Sequence, residues 1–185
     1  LFKYIFVIKT KSLKKTLFFL LISNLLWSQW SISNAERAAL IALNQSTNGE
    51  NWNRTWNIEE DPRTWFGIKI KNGNVTEINL SGNSLIGNFP SNIASFSHLQ
   101  KLDISSNRLS GEVSPSIGSL SSLQFLDISH NQLNGDPTSI LSSLSQLSEL
   151  RIGDNNFDIT NIAHFLQNYT RLKDLDLSNL SLTVV

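Results

Sequence analysis

Apolar residues recur through the second half of the chain with a period of 24 residues. The first positions of four successive blocks are Val75, Leu99, Leu123 and Leu147, and a fifth block begins at Leu172 after a spacing of 25 residues. In the first four blocks, positions one, four, six and eleven are apolar and position nine is asparagine. Such self-similarity predicts identical structural units that stack into a solenoid.

The spacing inside each block predicts one short strand per repeat. Positions four and six are two residues apart, so their side chains point to the same side of a strand, which we assign to the solenoid interior. Equivalent strands then form a parallel sheet along the concave side of a horseshoe. The interior pairs are Ile78/Leu80, Leu102/Ile104, Leu126/Ile128, Leu150/Ile152 and Leu175/Leu177.

Position nine carries a residue suited to a buried turn. Where the chain turns inward after each strand, backbone groups lose their strand partners and need others. An asparagine amide donates and accepts hydrogen bonds at once, so stacked asparagines satisfy such groups. We therefore predict a structural asparagine ladder, formed by Asn83, Asn107, Asn131 and Asn155.

The second half of each block predicts a short convex segment. Glycine and proline follow the strand in Gly87–Pro90 and Gly111–Pro115, which favours extended or 3₁₀ structure over long helices. The fourth block lacks both residues, so we predict one or two helical turns between Thr160 and Asn168.

The segment 31–74 predicts a cap before the repeats at 75–185. Ser33 lies three residues before Glu36, the spacing of a capping box at a helix start. Leu40 and Leu43 form an apolar stripe on that helix. Further on, Asn72-Gly73 is a strong hairpin signal, so the chain enters its first repeat through a hairpin.

These features together resemble a known family. The repeat and its L-x-G-x-x-P continuation resemble the plant-type extracellular leucine-rich repeats and their bacterial secreted relatives. The resemblance implies an α/β leucine-rich-repeat horseshoe that recognises a protein or glycan. Plant caps of this type carry paired cysteines, whereas this chain has none. We therefore expect Trp52, Trp56 and Trp65 to pack in the core of the cap, the alternative being a tryptophan platform for sugars.

The first thirty residues predict export. Four lysines between Lys9 and Lys15 precede an apolar run from Leu17 to Trp27, which is signal-peptide architecture and short for a membrane span. The alternative is an uncleaved N-terminal anchor. We thus expect a secreted or cell-surface protein with no membrane insertion after cleavage.

Residues 31–185 carry 10 basic and 15 acidic residues, a net charge of −5, which disfavours nucleic acid as a partner.

The exposed strand positions are the candidate ligand-binding residues. Positions three, five and eight should face the concave side, and Phe125 is the one large apolar residue among them. The alternative is a solvated face without a ligand. The candidates are Glu77, Asn79, Lys101, Asp103, Phe125, Asp127, His130, Glu149, Arg151, Asp154, Asp174 and Asp176.

Catalysis and metal binding have little support. Ser129 and His130 with Asp127 suggest a hydrolase, but no oxyanion donor is indicated. Asp103 and Asp127 supply too few oxygens for calcium. We therefore expect no enzymatic activity, cofactor or metal. The alternative to ligand binding is a structural or adhesive segment of a longer surface protein.

The fifth block departs from the pattern. Leu180 stands where the ladder asparagine is expected, and Asn179 lies one place early. We therefore expect the repeat domain to be cut short after about 4.5 repeats and to belong to a longer parent chain. A solenoid that ends there exposes a strand edge, so self-association through that edge is a further expectation.

Overall fold

The computed structural model describes residues 32–88 and 91–182. The signal peptide or anchor predicted for residues 1–30 lies outside the described residues. Within the described part of the chain, no helix is long and apolar enough to cross a membrane.

The repeats place their strands side by side in a six-stranded concave sheet. Each repeat strand pairs in parallel with its neighbour, and the N-terminal edge strand pairs antiparallel with the next. In sheet order the strands are β1 (Ile68–Lys71), β2 (Asn74–Asn79), β4 (Lys101–Asp103), β6 (Phe125–Asp127), β8 (Glu149–Arg151) and β10 (Asp174–Asp176). This confirms the predicted parallel concave sheet.

The solenoid interior is built from the predicted apolar positions. The pairs at positions four and six of the first four repeats are buried, with at most 1% of any of these side chains exposed. Leu175 and Leu177 in the fifth repeat are half-buried and pack against the same core. Each repeat therefore contributes one layer to a continuous apolar core.

A second sheet, which the sequence pattern did not predict, runs behind the first. It is parallel and five-stranded, and its strands are two to five residues long. Gly87, Gly111 and Gly135 lie in these strands with φ between 78° and 121°, which breaks the alternation that marks a strand in sequence. The strands are β3 (Ile86–Gly87), β5 (Arg108–Glu112), β7 (Gln132–Gly135), β9 (Asn156–Ile159) and β11 (Ser181–Leu182).

Short helices complete the convex side. The first two repeats have 3₁₀ helices at Ser91–Ser95 and Pro115–Ser119, as their glycines and prolines predict. The third has one turn of α-helix, α2 (Thr138–Leu141), and the fourth has α3 (Ile162–Leu166) inside the predicted segment.

The asparagine ladder forms and joins successive repeats. The Asn107 amide nitrogen lies 2.8–3.0 Å from three carbonyl oxygens, those of Leu80, Ile104 and Ser105. Its Oδ1 accepts from the backbone N–H groups of Asn83 and Leu85 at 3.0 Å. Asn131 and Asn155 likewise donate to three carbonyl oxygens each, and the Oδ1 of each accepts from one backbone N–H, that of Leu109 and that of Leu133. The first rung, Asn83, instead accepts from the backbone N–H of Arg54 in the cap at 2.7 Å.

A helix and a hairpin form the cap. Helix α1 (Asn34–Ser46) begins with the predicted capping box between Ser33 and Glu36. The second oxygen of the buried Glu36 accepts the backbone N–H of Val75 at 2.9 Å, so one carboxylate joins the helix start to the first repeat strand. In the predicted hairpin, Asn72 and Gly73 have φ of 50° and 74°, which suits a type I′ turn.

The three cap tryptophans are buried, as predicted for core packing. Trp56 is at their centre: its ring contacts Trp52 edge-on at 4.9 Å and stacks on Trp65 at 4.8 Å between centroids. Their faces are therefore covered by each other and cannot serve as an exposed sugar platform. The indole N–H groups each donate to a main-chain carbonyl at 2.9 Å, those of Thr47, Phe66 and Asn57.

Glu36→Gln should lower the free energy of unfolding by about 1–3 kcal/mol. Glutamine keeps an oxygen for Val75, but its NH₂ group then faces the Ser33 N–H and hydroxyl, which now donate to the carboxylate at 3.2 and 3.1 Å. Urea unfolding followed by circular dichroism measures the change. The exposed Glu50→Gln is the control and should change stability by under about 0.5 kcal/mol. Equal losses in both variants would refute the assignment.

Candidate ligand-binding face

The concave sheet aligns the candidate side chains in two columns. Position three forms one column across the sheet: Glu77, Lys101, Phe125, Glu149 and Asp174. Position five forms the other: Asn79, Asp103, Asp127, Arg151 and Asp176. Neighbours within a column lie on adjacent strands about 4.8 Å apart, so their side chains interact directly.

Phe125 is half-buried on a central strand between two cations. The Lys101 Nζ lies 4.4 Å from the centroid of the Phe125 ring, and the guanidinium carbon of Arg151 lies 5.4 Å from it. Both distances are within the range of cation–π attraction. The ring is thus a partly accessible apolar surface with a polar rim.

Arg151 is surrounded by carboxylates from three strands. It forms ion pairs with Asp174, with Glu149 at 3.1 Å and with Asp127 at 3.9 Å. The hydrogen bond with Asp174 is the main reason that the pKa of Arg151 is raised above its ordinary value. The single positive charge of Arg151 is therefore shared among three carboxylates.

The aspartates at position five also stabilise the turn that follows their strand. In Asp103 and Asp127, Oδ1 accepts from the backbone N–H and the hydroxyl of the serine two residues later. Hydrogen bonds from the Ser178 hydroxyl and backbone lower the pKa of Asp176 below its ordinary value. Asp127 is only 8% exposed. These aspartates have a structural role in addition to facing the concave side.

The eighth position lies where the chain turns away from the sheet. His130 and Asp154 adopt left-handed backbone angles, with φ of 51° and 53°. The His130 Nδ1 lies 3.3 Å from Asp154 Oδ2, and the Asn179 amide donates to Asp154 Oδ1 at 2.6 Å. These side chains form a polar row along one rim of the face.

The serine, histidine and aspartate that suggest a hydrolase do not form a catalytic arrangement. The Ser129 hydroxyl donates to Asp127 at 2.6 Å, whereas His130 pairs with Asp154 of the next repeat. The histidine is therefore not placed to activate the serine. In the part of the chain that the structure describes, no group of three or more His, Cys, Asp or Glu side chains could hold a metal ion.

Strand β1 adds two lysines that the repeat pattern did not indicate. Lys69 and Lys71 lie on this edge strand of the concave sheet, and Lys69 pairs with Glu77 at 2.7 Å. They belong to the cap hairpin and so lie outside the 24-residue register. The alternation of Ile68-Lys69-Ile70-Lys71 was their only signal in the sequence.

Comparisons with known proteins agree with this architecture. Residues 73–133 match the family model described as leucine rich repeat. A probable inactive receptor kinase of Arabidopsis thaliana is 36% identical over 70 residues, which is 37% of this chain and only 10% of the relative's length. The chain thus spans about a tenth of that relative.

Two solved structures have the same fold. The BIR2 ectodomain of Arabidopsis thaliana is 28% identical with a TM-score of 0.72, over 81% of this chain and 82% of that one. The plant peptide hormone receptor RGFR1, in complex with RGF2, is 35% identical with a TM-score of 0.53, over 57% of this chain and 17% of that one. The chain is similar to extracellular repeat domains of plant receptors.

Proposed function

We propose that this leucine-rich repeat protein binds a peptide or a segment of another protein on its concave sheet. Phe125 carries the proposal, because it is a partly exposed aromatic residue at the middle of the sheet with a cation on either side. Aromatic residues ringed by polar groups are typical anchors of binding interfaces. That RGFR1 is a peptide hormone receptor supports a peptide ligand.

The fold separates the binding face from the parts that hold the solenoid together. The core pairs point inward, the ladder lies beneath the turn, and positions three and five face outward from the strands. Residues at position three can therefore change without loss of the core. Six strands at about 4.8 Å spacing form a face some 24 Å across, wide enough for an extended segment of several residues.

A peptide or protein is favoured over a glycan. Sugars stack on exposed aromatic faces, and the three cap tryptophans are buried against one another. We further propose that binding takes place outside the cell or at its surface, since residues 1–30 have the pattern of a signal peptide or anchor. The protein acts by recognition, without catalysis.

Phe125→Ala should weaken ligand binding by about 2 kcal/mol or more and change stability by less than about 1 kcal/mol, because the ring is only half-buried. The ligand is first selected on the full chain from a random displayed peptide library, and its affinity is then measured by calorimetry. Ile86→Ala is the control, since Ile86 is 43% exposed but lies in the second sheet. Unchanged affinity in Phe125→Ala, or an equal loss in Ile86→Ala, would place the binding face elsewhere.

A further inference from the structure

We infer that the concave face selects a basic segment. In the bound segment, an apolar residue contacts Phe125. A lysine or arginine about three residues away along the segment faces the carboxylates of β8 and β10. This inference rests on the proposed function and specifies the chemistry of its ligand.

The charges on the face are divided between its two halves. Positions three, five and eight on the last three strands carry one cation, Arg151, against five carboxylates, a net charge of −4 with His130 neutral. The carboxylates are Asp127, Glu149, Asp154, Asp174 and Asp176. The other half holds Lys69, Lys71 and Lys101 against Glu77 and Asp103, a net charge of +1. Arg171 and Lys173 precede β10 and line a separate depression with Gln124 and Ser148.

The negative charge is only partly compensated inside the protein. Arg151 already pairs with Asp127, Glu149 and Asp174. Asp154 accepts a hydrogen bond from Asn179 and lies 3.3 Å from the His130 Nδ1, and Asp176 accepts from the backbone N–H of Ser178, but neither forms an ion pair with a lysine or arginine in the described part of the chain. Hydrogen bonds from neutral groups add no positive charge to this half of the face. A cationic ligand would therefore meet a favourable potential over this half of the sheet.

At two places in the concave sheet, two carboxylates lie directly opposite each other on paired strands. Asp103 pairs with Asp127, and Glu149 pairs with Asp174. Like charges in such positions destabilise a sheet. The Arg151 guanidinium already bridges Glu149 and Asp174, so a ligand cation would reduce the repulsion that this single positive charge leaves uncompensated. Residues that work against folding in this way are characteristic of functional surfaces.

The distance between Phe125 and the carboxylates determines how far apart the apolar and the basic residue of the ligand must be. Phe125 is on β6 and Asp174 is on β10, two strands away in the same column. Two strand spacings amount to about 10 Å, and an extended segment advances about 3.3 Å per residue. A ligand that crosses the strands thus needs its apolar and basic residues about three apart.

The test begins with peptides selected from the random library on the full chain. We expect them to carry lysine or arginine about three residues from an apolar residue. Affinity of the synthesised peptides for the double variant Glu149→Gln/Asp174→Asn should fall about tenfold, and should also fall with added salt for the unaltered protein. The matched control, Glu112→Gln/Asp158→Asn, removes two exposed charges from the second sheet and should leave affinity unchanged.

The outcomes separate this inference from the proposed function. If neutral or acidic peptides bind the unaltered protein and fail to bind Phe125→Ala, the inference of a basic ligand is wrong, whereas the proposed recognition on the concave face is supported. Basic peptides that bind the double variant as well as the unaltered protein would also overturn the inference of a basic ligand. If no peptide is enriched, both proposals fail. The double variant keeps an oxygen at each altered position for Arg151, so we expect it to fold with undiminished melting temperature.

Discussion

Asn107→Ala should lower the free energy of unfolding by about 2–4 kcal/mol. The carboxamide lies within 3.0 Å of three carbonyl oxygens and accepts from two backbone N–H groups, all inside the solenoid. Alanine removes these partners and leaves several buried polar groups unsatisfied. Because the groups belong to two successive repeats, the loss weakens the interface between them as well as one turn.

Urea unfolding followed by circular dichroism measures this effect, with Asn134→Ala as the control. Asn134 lies in the second sheet with an exposed side chain, so its loss should cost under about 0.5 kcal/mol. Comparable losses at both positions would mean that the ladder amides contribute no more than surface amides.

Trp56→Ala should lower the free energy of unfolding by about 3–5 kcal/mol. The substitution empties the centre of the tryptophan cluster, separating Trp52 from Trp65, and leaves the Phe66 carbonyl without its 2.9 Å donor. The cap has no disulfide to limit the damage, because the chain contains no cysteine. We expect the cap to open before the distal repeats.

Amide hydrogen exchange distinguishes local from global opening in this variant. The protection of backbone amides against exchange should fall first in α1 and β1 and last in β8. Trp56→Phe serves as the control: it keeps an aromatic ring but loses the indole N–H, so it should cost roughly half as much. A uniform loss of protection along the solenoid would show that the cap and the repeats unfold as one unit.

The elements that the sequence predicted are those encoded by short-range patterns. The interior pairs and the ladder follow from positions within one block, and the capping box from Ser33 and Glu36. The hairpin follows from Asn72-Gly73. In each case the physical demand, whether a buried face, a helix start or a positive φ, is met within a few residues of its signal.

The features that escaped prediction depend on distant partners. The second sheet pairs segments more than twenty residues apart, for example Asn134 with Asn156. The contact of Glu36 with Val75 joins residues 39 positions apart. The burial of Asp127 arises from Ser129 and from Arg151 on the next strand. Such contacts exist only once the repeats have stacked.

The candidate face was predictable in composition but not in detail. Positions three and five follow from strand alternation, and the structure places them in the expected columns. That Phe125 lies under two cations, and that Arg151 serves three carboxylates, depends on rotamers that a pattern does not specify. Their role in ligand binding stays a prediction for the binding experiments.

The direction of the ladder has a consequence for synthesis on the ribosome. Each asparagine accepts from the turn of the repeat before it: Asn107 from Leu85, Asn131 from Leu109 and Asn155 from Leu133. A newly emerged repeat therefore remains unfinished until the next 24 residues have left the exit tunnel. At about 5–20 residues per second, that interval lasts on the order of one to five seconds. The cap follows the same rule, because Glu36 and Arg54 find their partners in Val75 and Asn83 of the first repeat, and from there folding advances one coil at a time.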